Sequence, residues 1–242
     1  MPDSKPPQSP SNHLLAALPE NVFRRLEPSL EPVDFKLGDV IYEPGAKLQH
    51  VYFPVTCIIS LLYTMENGVS AEIGVVGNEG LVGLALYMGG DTMPNRAIIQ
   101  SAGSALRLPA KALQDEFKRG GEMQIALLRF TQALITQMSQ TAVCNQLHTL
   151  DEQLCRWLLL SHDRLQNDEL VMTQELMANM LGVRREGVTL AAGRLQSAGL
   201  IRYNRGRVNI NNRTGLEEAV CECYRVVKLE YERLLNDQRV LA

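Results

Sequence analysis

The sequence predicts an α+β chain in three consecutive parts: a small antiparallel β-barrel or sandwich of jelly-roll type, one long helix, and a C-terminal module of short helices closed by a hairpin. Three observations predict it. Ten of the 18 glycines fall between Gly38 and Gly103, separated by short β-branched or aromatic runs. Residues 122–148 contain neither Gly nor Pro and repeat apolar side chains at helical spacing. Beyond them, a small residue, a glycine and an apolar pair stand at the offsets of two helices meeting at a tight corner.

The strand runs are Val40-Ile41-Tyr42, Val51-Tyr52-Phe53, the seven residues from Cys57 to Tyr63, Ala71-Glu72-Ile73 and Ala97-Ile98-Ile99-Gln100. Evenly spaced short strands with turn residues between them argue for a closed antiparallel architecture. Glu66-Asn67-Gly68 is a hairpin signal, because Asn-Gly supplies the positive φ angles of a type I′ turn. After Gly120-Gly121 the pattern becomes helical, with one apolar row at Ile125, Leu128, Ile135, Met138 and Ala142 and a second at Leu127, Leu134 and Thr141. A stripe that wide faces two neighbours. A helix of about 27 residues would run about 40 Å, long for a single small domain. Leu127, Leu128, Leu134, Ile135, Met138 and Ala142 are therefore expected to form a seam with a second copy of the chain.

Composition narrows the function classes. The 242 residues are 45% hydrophobic and 21% charged, ample for a buried core. No apolar run approaches the roughly 20 residues of a membrane span, and the Pro-rich start reads as a solvated tail, not a signal peptide. Five cysteines, an odd number in mostly apolar helical contexts, argue against a disulfide framework. The expectation is a cytoplasmic globular protein without membrane contact. Its parts are a disordered tail over 1–13, a barrel over 14–121, the long helix over 122–148 and a C-terminal domain over 149–242.

The most specific signal lies in residues 173–201. Thr173 is a suitable N-cap for a short helix ending at Leu181, and Gly182 suits a left-handed corner. Ala178 stands four residues before Gly182, small enough for a close crossing, while Val188 and Ala191 supply the apolar contacts of the second helix. That is the pattern of a helix-turn-helix. The stretch around Asn204-Arg205-Gly206 then reads as the turn of a β-wing. Residues 173–213 hold seven Arg and two Glu, so a module of net +5 sits on a chain of net −3. A basic module on an acidic body is the footprint of a double-stranded-DNA reader. Arg185 and Glu186, in the first turn of the second helix, are the expected base contacts, with Arg184 and Thr189 next. Arg pairs bidentately with guanine and Glu accepts from cytosine. Thr173, Gln174, Arg205 and Arg207 are expected on phosphates.

With Gly38-Asp39-Val40-Ile41-Tyr42-Glu43-Pro44-Gly45, the Val51-Tyr52-Phe53 run, the long helix and the Arg184-Arg185-Glu186 start of the second helix, the chain resembles the Crp/Fnr superfamily of bacterial transcription regulators. The resemblance covers nearly all of the sequence after the tail. It implies a cyclic-nucleotide-binding-like β-roll as sensor, a dimerisation helix and a winged helix-turn-helix reading palindromic operators, with RNA polymerase as a candidate partner. It would place an effector pocket around Gly83, Leu84, Ala85, Arg96, Ala97 and Met138.

Three departures limit the resemblance. Where nucleotide-binding members carry Gly-Glu-x-Ala/Leu and then an Arg two before an Ala, this chain has Gly83-Leu84-Ala85-Leu86-Tyr87 and Asn95-Arg96-Ala97. The ribose-binding Glu is replaced by Leu84 and the Arg is displaced by one residue, which on a strand reverses its face. Cyclic AMP in the usual mode is therefore not expected. No cysteine precedes Cys57, so the N-terminal cluster ligands of oxygen-sensing members are missing and an iron–sulfur cluster is not expected. Leu190 stands where many members have another Arg, so no known operator can be transferred. The effector remains unknown.

Val220, Tyr224, Val227, Tyr231 and Leu234 mark an amphipathic helix over 216–236, expected on the DNA-binding domain. Cys221 and Cys223 are read there as facing opposite sides of that helix, and no metal ligands are assigned. Two other functions remain open. A cupin-like enzyme would need several His inside the barrel, and only His50 lies in that region. A non-catalytic scaffold whose winged helix contacts protein is the second.

Overall fold

The computed structural model describes residues 12–165 and 168–236. Two short helices, α1 (His13–Ala16) and α2 (Glu20–Leu26), lead through a single 3₁₀ turn into strands β1 (Glu31–Phe35), β2 (Val40–Tyr42), β3 (His50–Pro54), β4 (Ile58–Thr64) and β5 (Ser70–Val76). After α3 (Ala85–Met88) come β6 (Arg96–Ser101) and β7 (Gly103–Pro109), then α4 (Ala110–Arg119) and α5 (Glu122–Leu147). The C-terminal region comprises α6 (Leu150–His162), β8 (Glu169–Val171), α7 (Gln174–Leu181), α8 (Arg185–Ser197), β9 (Ile201–Asn204), β10 (Arg207–Ile210), α9 (Arg213–Ala219) and α10 (Glu222–Tyr231). A π-helical turn, Glu232–Asn236, continues α10.

The N-terminal strands form two antiparallel sheets, β1-β7-β3 and β2-β6-β4-β5, enclosing a core that includes Val51, Phe53, Ile59, Leu61 and Ile99. The long helix completes this core with Met123, Leu127, Phe130 and Leu134. Phe130 lies so close to Gly80 that a Cβ there would fall 1.9 Å from its ring, so glycine is required by packing. Leu127 and Leu134 are thus consumed by the roll of their own chain, correcting their expected place in a symmetric seam. Leu128 and Ile135, at 52% and 55% exposure, lie on the open face with Ala142, whereas Met138 is partly buried against the roll core.

Other expectations shift at their edges. Met1 to Ser11 of the expected tail lie outside the described residues. Its last two residues are built in: Asn12 is buried, caps α1, and donates from Nδ2 to the carbonyls of Pro54 and Gly80 at 2.8 and 2.9 Å. The β4–β5 hairpin is not closed by a type I′ turn. Gly68 N donates to Met65 O and Met65 N to Val69 O, both at 2.8 Å, leaving a three-residue loop with Gly68 at φ +82. This is a type I turn followed by a left-handed residue, the next most common hairpin closure. The expected C-terminal helix is interrupted at Val220-Cys221, both extended. Its second piece, α10, packs along α5 as well as against α6, so it bridges the two domains rather than serving the DNA-binding domain alone.

The outer face of the four-stranded sheet is covered by the C-terminal domain. Ile58, Leu62 and Val75 share one core with Leu154, Leu158 and Met177. Inside this seam lies a polar chain. Trp157 Nε1 donates to Glu72 Oε1 at 3.0 Å, and Ser60 Oγ stands 2.5 Å from Glu72 Oε2 and 2.6 Å from Gln100 Oε1. Gln100 Nε2 in turn donates to Ser161 at 2.9 Å. One hydroxyl proton cannot serve two acceptors, so a protonated Glu72 that donates to Ser60 satisfies the chain. Burial pushes the Glu72 carboxyl up to about 7, against the opposing pull of its hydrogen bonds to Ser60 and Trp157 and of the Arg156 and Arg164 charges.

A carboxyl raised on folding stabilises the fold fully below its ordinary 4.5, and that contribution is lost as pH climbs through about 7. Glu72→Gln should therefore remove part of the pH dependence. In urea unfolding, the stability of wild type relative to Glu72→Gln should fall between about pH 5 and about pH 8 and stay level above. Parallel profiles for the two proteins would show that Glu72 does not titrate in this window.

Candidate nucleic-acid interface and sensor pocket

Helices α7 and α8 form the expected corner. Gly182 closes α7 at φ +66, ψ +31, a left-handed conformation that glycine adopts without steric cost. Ala178, Val188 and Ala191 are all buried in the shared core, as the spacing requires. Thr173 caps α7, its Oγ1 accepting from Leu176 N at 3.1 Å. The corner rests on the roll: a Cβ on Gly182 would stand 3.2 Å from the Ala71 Cβ of β5.

α8 begins at Arg185, with Arg184 at its N-cap position, so the two arginines and Glu186 crowd the exposed first turn. Thr189 Oγ1 lies 3.0 Å from both Gln174 Oε1 and the Arg185 carbonyl, linking a residue expected on bases with one expected on phosphate. Leu190 is 63% exposed on this helix. The wing is the β9–β10 hairpin, with β8 as third strand in the order β8-β10-β9. Asn204 pairs with Arg207 across a two-residue turn, and Arg205 takes a positive φ of +46 there.

Charge in this module divides into two sets. Arg194 is held bidentately by Asp151 at 2.6 Å to each oxygen, Arg207 pairs with Glu169, and Arg213 pairs with Asp163 at 2.5 Å. Arg184, Arg185, Arg202 and Arg205 are exposed and pair with no carboxylate among the described residues. Net charge alone does not separate these sets. The separation depends on acids contributed by α6, β8 and the turn after α6, which lie outside the basic stretch.

The residues expected around an effector lie on separate elements. Gly83 and Leu84 lead into α3 with Ala85, and Leu84 and Ala85 pack into the roll core. Ala97 is fully buried in that core. Met138 packs beside β5, its Cγ being 3.6 Å from where a Gly74 Cβ would stand. Arg96 instead pairs with Glu43 at 2.9 Å and is partly exposed, while Asn95 is buried and donates to the Tyr42 hydroxyl at 3.1 Å. An apolar Leu84 and an arginine held by Glu43 do not fit a cyclic nucleotide in the usual mode. A cavity of about 540 Å³ opens elsewhere, lined by His13, Glu79, Arg129, Arg164, Tyr231 and Leu235 among others, and it includes none of the six expected residues.

One cluster was not foreseen. Cys144 and His148, at the end of α5, meet Cys221 and Cys223, at the start of α10. The two C-terminal cysteines do not face opposite ways as expected, because Cys221 is the extended N-cap of α10 and not an interior helical residue. The signal in the sequence was Cys-x₃-His on one helical face together with Cys-x-Cys.

Residues 32–119 match the cyclic nucleotide-binding domain and residues 152–219 the Crp-like helix-turn-helix domain. No curated protein sequence matches the chain. Among solved structures, FixK2 from Bradyrhizobium japonicum is similar at TM-score 0.69 and 16% identity, covering 79% of this chain and 98% of its own. A CRP-family transcriptional regulator from Thermus thermophilus is similar at TM-score 0.65 and 18% identity, with 77% and 95% covered. The c-di-GMP responsive global regulator CLP of Xanthomonas campestris gives TM-score 0.60 and 15% identity, with 78% and 98% covered. With both domains matched in this order around one long helix, the chain belongs to the Crp/Fnr superfamily of transcription regulators.

Proposed function

We propose that the protein is a sequence-specific transcription regulator that binds a palindromic operator as a homodimer, in the cytoplasm, under control of an effector other than a conventionally bound cyclic nucleotide. The observation that carries this reading is the exposed first turn of α8, where Arg184 and Arg185 stand free of any described carboxylate. An unpaired arginine at the start of a helix-turn-helix second helix keeps its guanidinium available for a base edge. Arg185 and Glu186 read bases, with Arg184 and Thr189 beside them. Thr173, Gln174, Arg205 and Arg207 hold phosphates, Arg207 after exchanging Glu169 for the backbone. RNA polymerase is the candidate protein partner.

Arg185→Ala should abolish discrimination between operator and random DNA while leaving salt-sensitive non-specific binding. One bidentate Arg–guanine pair contributes about 1–3 kcal/mol of discrimination per half-site. Arg207→Ala should weaken both DNAs alike. Gel-shift titrations on genomic fragments read both. Unchanged specificity in Arg185→Ala would misplace the reading helix, and no shift with any fragment would favour a scaffold that contacts protein.

The dimer rests on the open face of α5. Leu128, Ile135, Val143 and Leu147 are 52%, 55%, 44% and 72% exposed, with Ala142 between them, while the opposite face is buried in the roll. A twofold axis along this face is the commonest way for such a stripe to lose water. It would set the two α8 helices in successive major grooves about 34 Å apart, for half-sites about 10 base pairs apart. Ile135→Glu should break the dimer and operator binding together, because a charge in an apolar seam loses its hydration. Met138→Glu should also destabilise the roll against which Met138 packs. Gln132→Glu is no neutral control, because Gln132 donates to Glu230 at 3.2 Å; exposed Lys118→Glu serves instead. Light scattering giving the 26.9 kDa of one chain would overturn the dimer.

Calorimetry with cyclic AMP should give no saturable binding, and operator affinity should not depend on it. Micromolar binding that is lost in Arg96→Ala would restore the nucleotide reading.

A further inference from the structure

We propose that Cys144, His148, Cys221 and Cys223 form a binding site for one zinc-class divalent cation that fastens the start of α10 to the end of α5. The four candidate donor atoms all lie within 4.8 Å of one another. Cys144 Sγ is 3.5 Å from Cys221 Sγ, and Cys223 Sγ is 3.6 Å from His148 Nδ1. A tetrahedron with metal–sulfur bonds of about 2.3 Å and a metal–nitrogen bond of about 2.0–2.1 Å has edges of about 3.5–3.8 Å. These two separations sit at that spacing, and the other pairs of donors lie within about 1 Å of it. Three sulfurs and one imidazole are a frequent donor set of structural zinc. Donors gathered this tightly enclose a single ion and leave no room for a cluster of several irons.

The surroundings support the same assignment. The other ring nitrogen of His148, Nε2, faces Glu222 Oε2 at 3.4 Å. A carboxylate on the far nitrogen is what orients a ligating histidine. An ion of charge +2 with three thiolates and a neutral imidazole leaves one negative charge. Arg156 is buried on α6 with no carboxylate partner among the described residues. It donates to Thr141, one turn before Cys144, at 3.1 Å, while its Nε has no hydrogen-bond partner among the described residues. The Glu72 carboxyl acts on Arg156 only across the seam and out of contact, so a site of net charge −1 beside this buried guanidinium lowers the cost of its burial. Binding requires Cys144, Cys221 and Cys223 to release their protons to solvent. The ion would thereby join the last turn of the long helix to the helix that follows the wing, across the connection at His148-Thr149.

The test uses the full chain, purified under reducing conditions without chelator. Plasma mass spectrometry should find one zinc per chain. Cobalt added to the stripped protein should produce the visible bands of a tetrahedral site with a thiolate charge-transfer shoulder, displaced by zinc. The bands should be lost in Cys144→Ser and in Cys221→Ser and kept in Cys57→Ala, which lies in the roll core. Because a ligand variant can fail to fold, zinc-edge X-ray absorption on the wild type reads three sulfurs and one nitrogen directly. A wild type with free thiols that takes up no cobalt would overturn the site. So would a first shell of oxygens, or peptide mapping that finds a Cys144–Cys221 disulfide in the isolated protein.

Discussion

The structure depends on β4 being buried on both of its faces. One face lines the roll, through Ile59 and Leu61, and the other meets the C-terminal domain, through Ile58 and Leu62. A half-exposed strand would alternate apolar and polar residues, whereas a strand covered twice reads as a continuous apolar run. That run, Cys57 to Leu62, contains one polar residue, Ser60, which falls inside the seam within reach of Glu72 and Gln100. The roll and the helix-turn-helix domain therefore share one core along this strand. Anything that moves β4, β5 or β6 moves the bed on which α6 and α7 lie.

The architecture was legible because its largest signals are periodic or sterically forced. The glycine-punctuated runs gave β2 to β6, the Gly- and Pro-free stretch gave α5, and Ala178, Gly182, Val188 and Ala191 gave the corner. β1 and β7 were missed because their residues do not look like strands in isolation: β1 is Glu-Pro-Val-Asp-Phe at a sheet edge, and β7 mixes Gly, Ser and Arg with its apolar residues. The two apolar rows of α5 imply two neighbours, but nothing local tells which row meets the roll. Only the depth of the roll core assigns Leu127 and Leu134 inward and leaves Leu128 and Ile135 outward. The expected effector pocket rests on a different footing. It was transferred from a resemblance at positions where the chain itself departs, and the packing of Leu84 and the Arg96–Glu43 pair follow those departures.

Electrostatics was legible only as a sum. Seven arginines mark the C-terminal module, yet three are bound to Asp151, Glu169 and Asp163, which sequence distance hides. The pairs differ in meaning. Arg194 with Asp151 ties α8 to the N-terminus of α6 at an exposed site, where such pairs contribute little stability but fix geometry. Arg213, with Asp163, His162 and the Tyr224 hydroxyl around it, is a half-buried joint between α6 and α9–α10. What remains unpaired is concentrated at the start of α8 and along the wing. A basic footprint is thus better measured by its unsatisfied guanidinium groups than by its formal charge.

The connection between α5 and α6 is where these constraints meet. The chain turns at His148 into an extended conformation, and Thr149 restarts a helix through a reciprocal capping box with Glu152. Gln153 reaches back to the carbonyls of His148 and Cys144 at 2.9 and 3.4 Å, so the end of α5 is capped by the helix that follows it. α10 closes the same joint from the other side, with Gln137 donating to the Tyr231 hydroxyl at 2.8 Å and to the carbonyl of Val75 in β5 at 3.1 Å. A ligand can favour one arrangement of two packed domains only through contacts that differ between arrangements. Such contacts cross between the roll and the C-terminal domain where α6 and α7 lie on the four-stranded sheet, at the Arg164–Glu79 pair, and at the α5–α10 joint. The first holds the Glu72 carboxyl in a hydrogen-bonded chain and the last a cluster of thiols and an imidazole, so both combine apolar packing with polar groups that fix which side chains face one another.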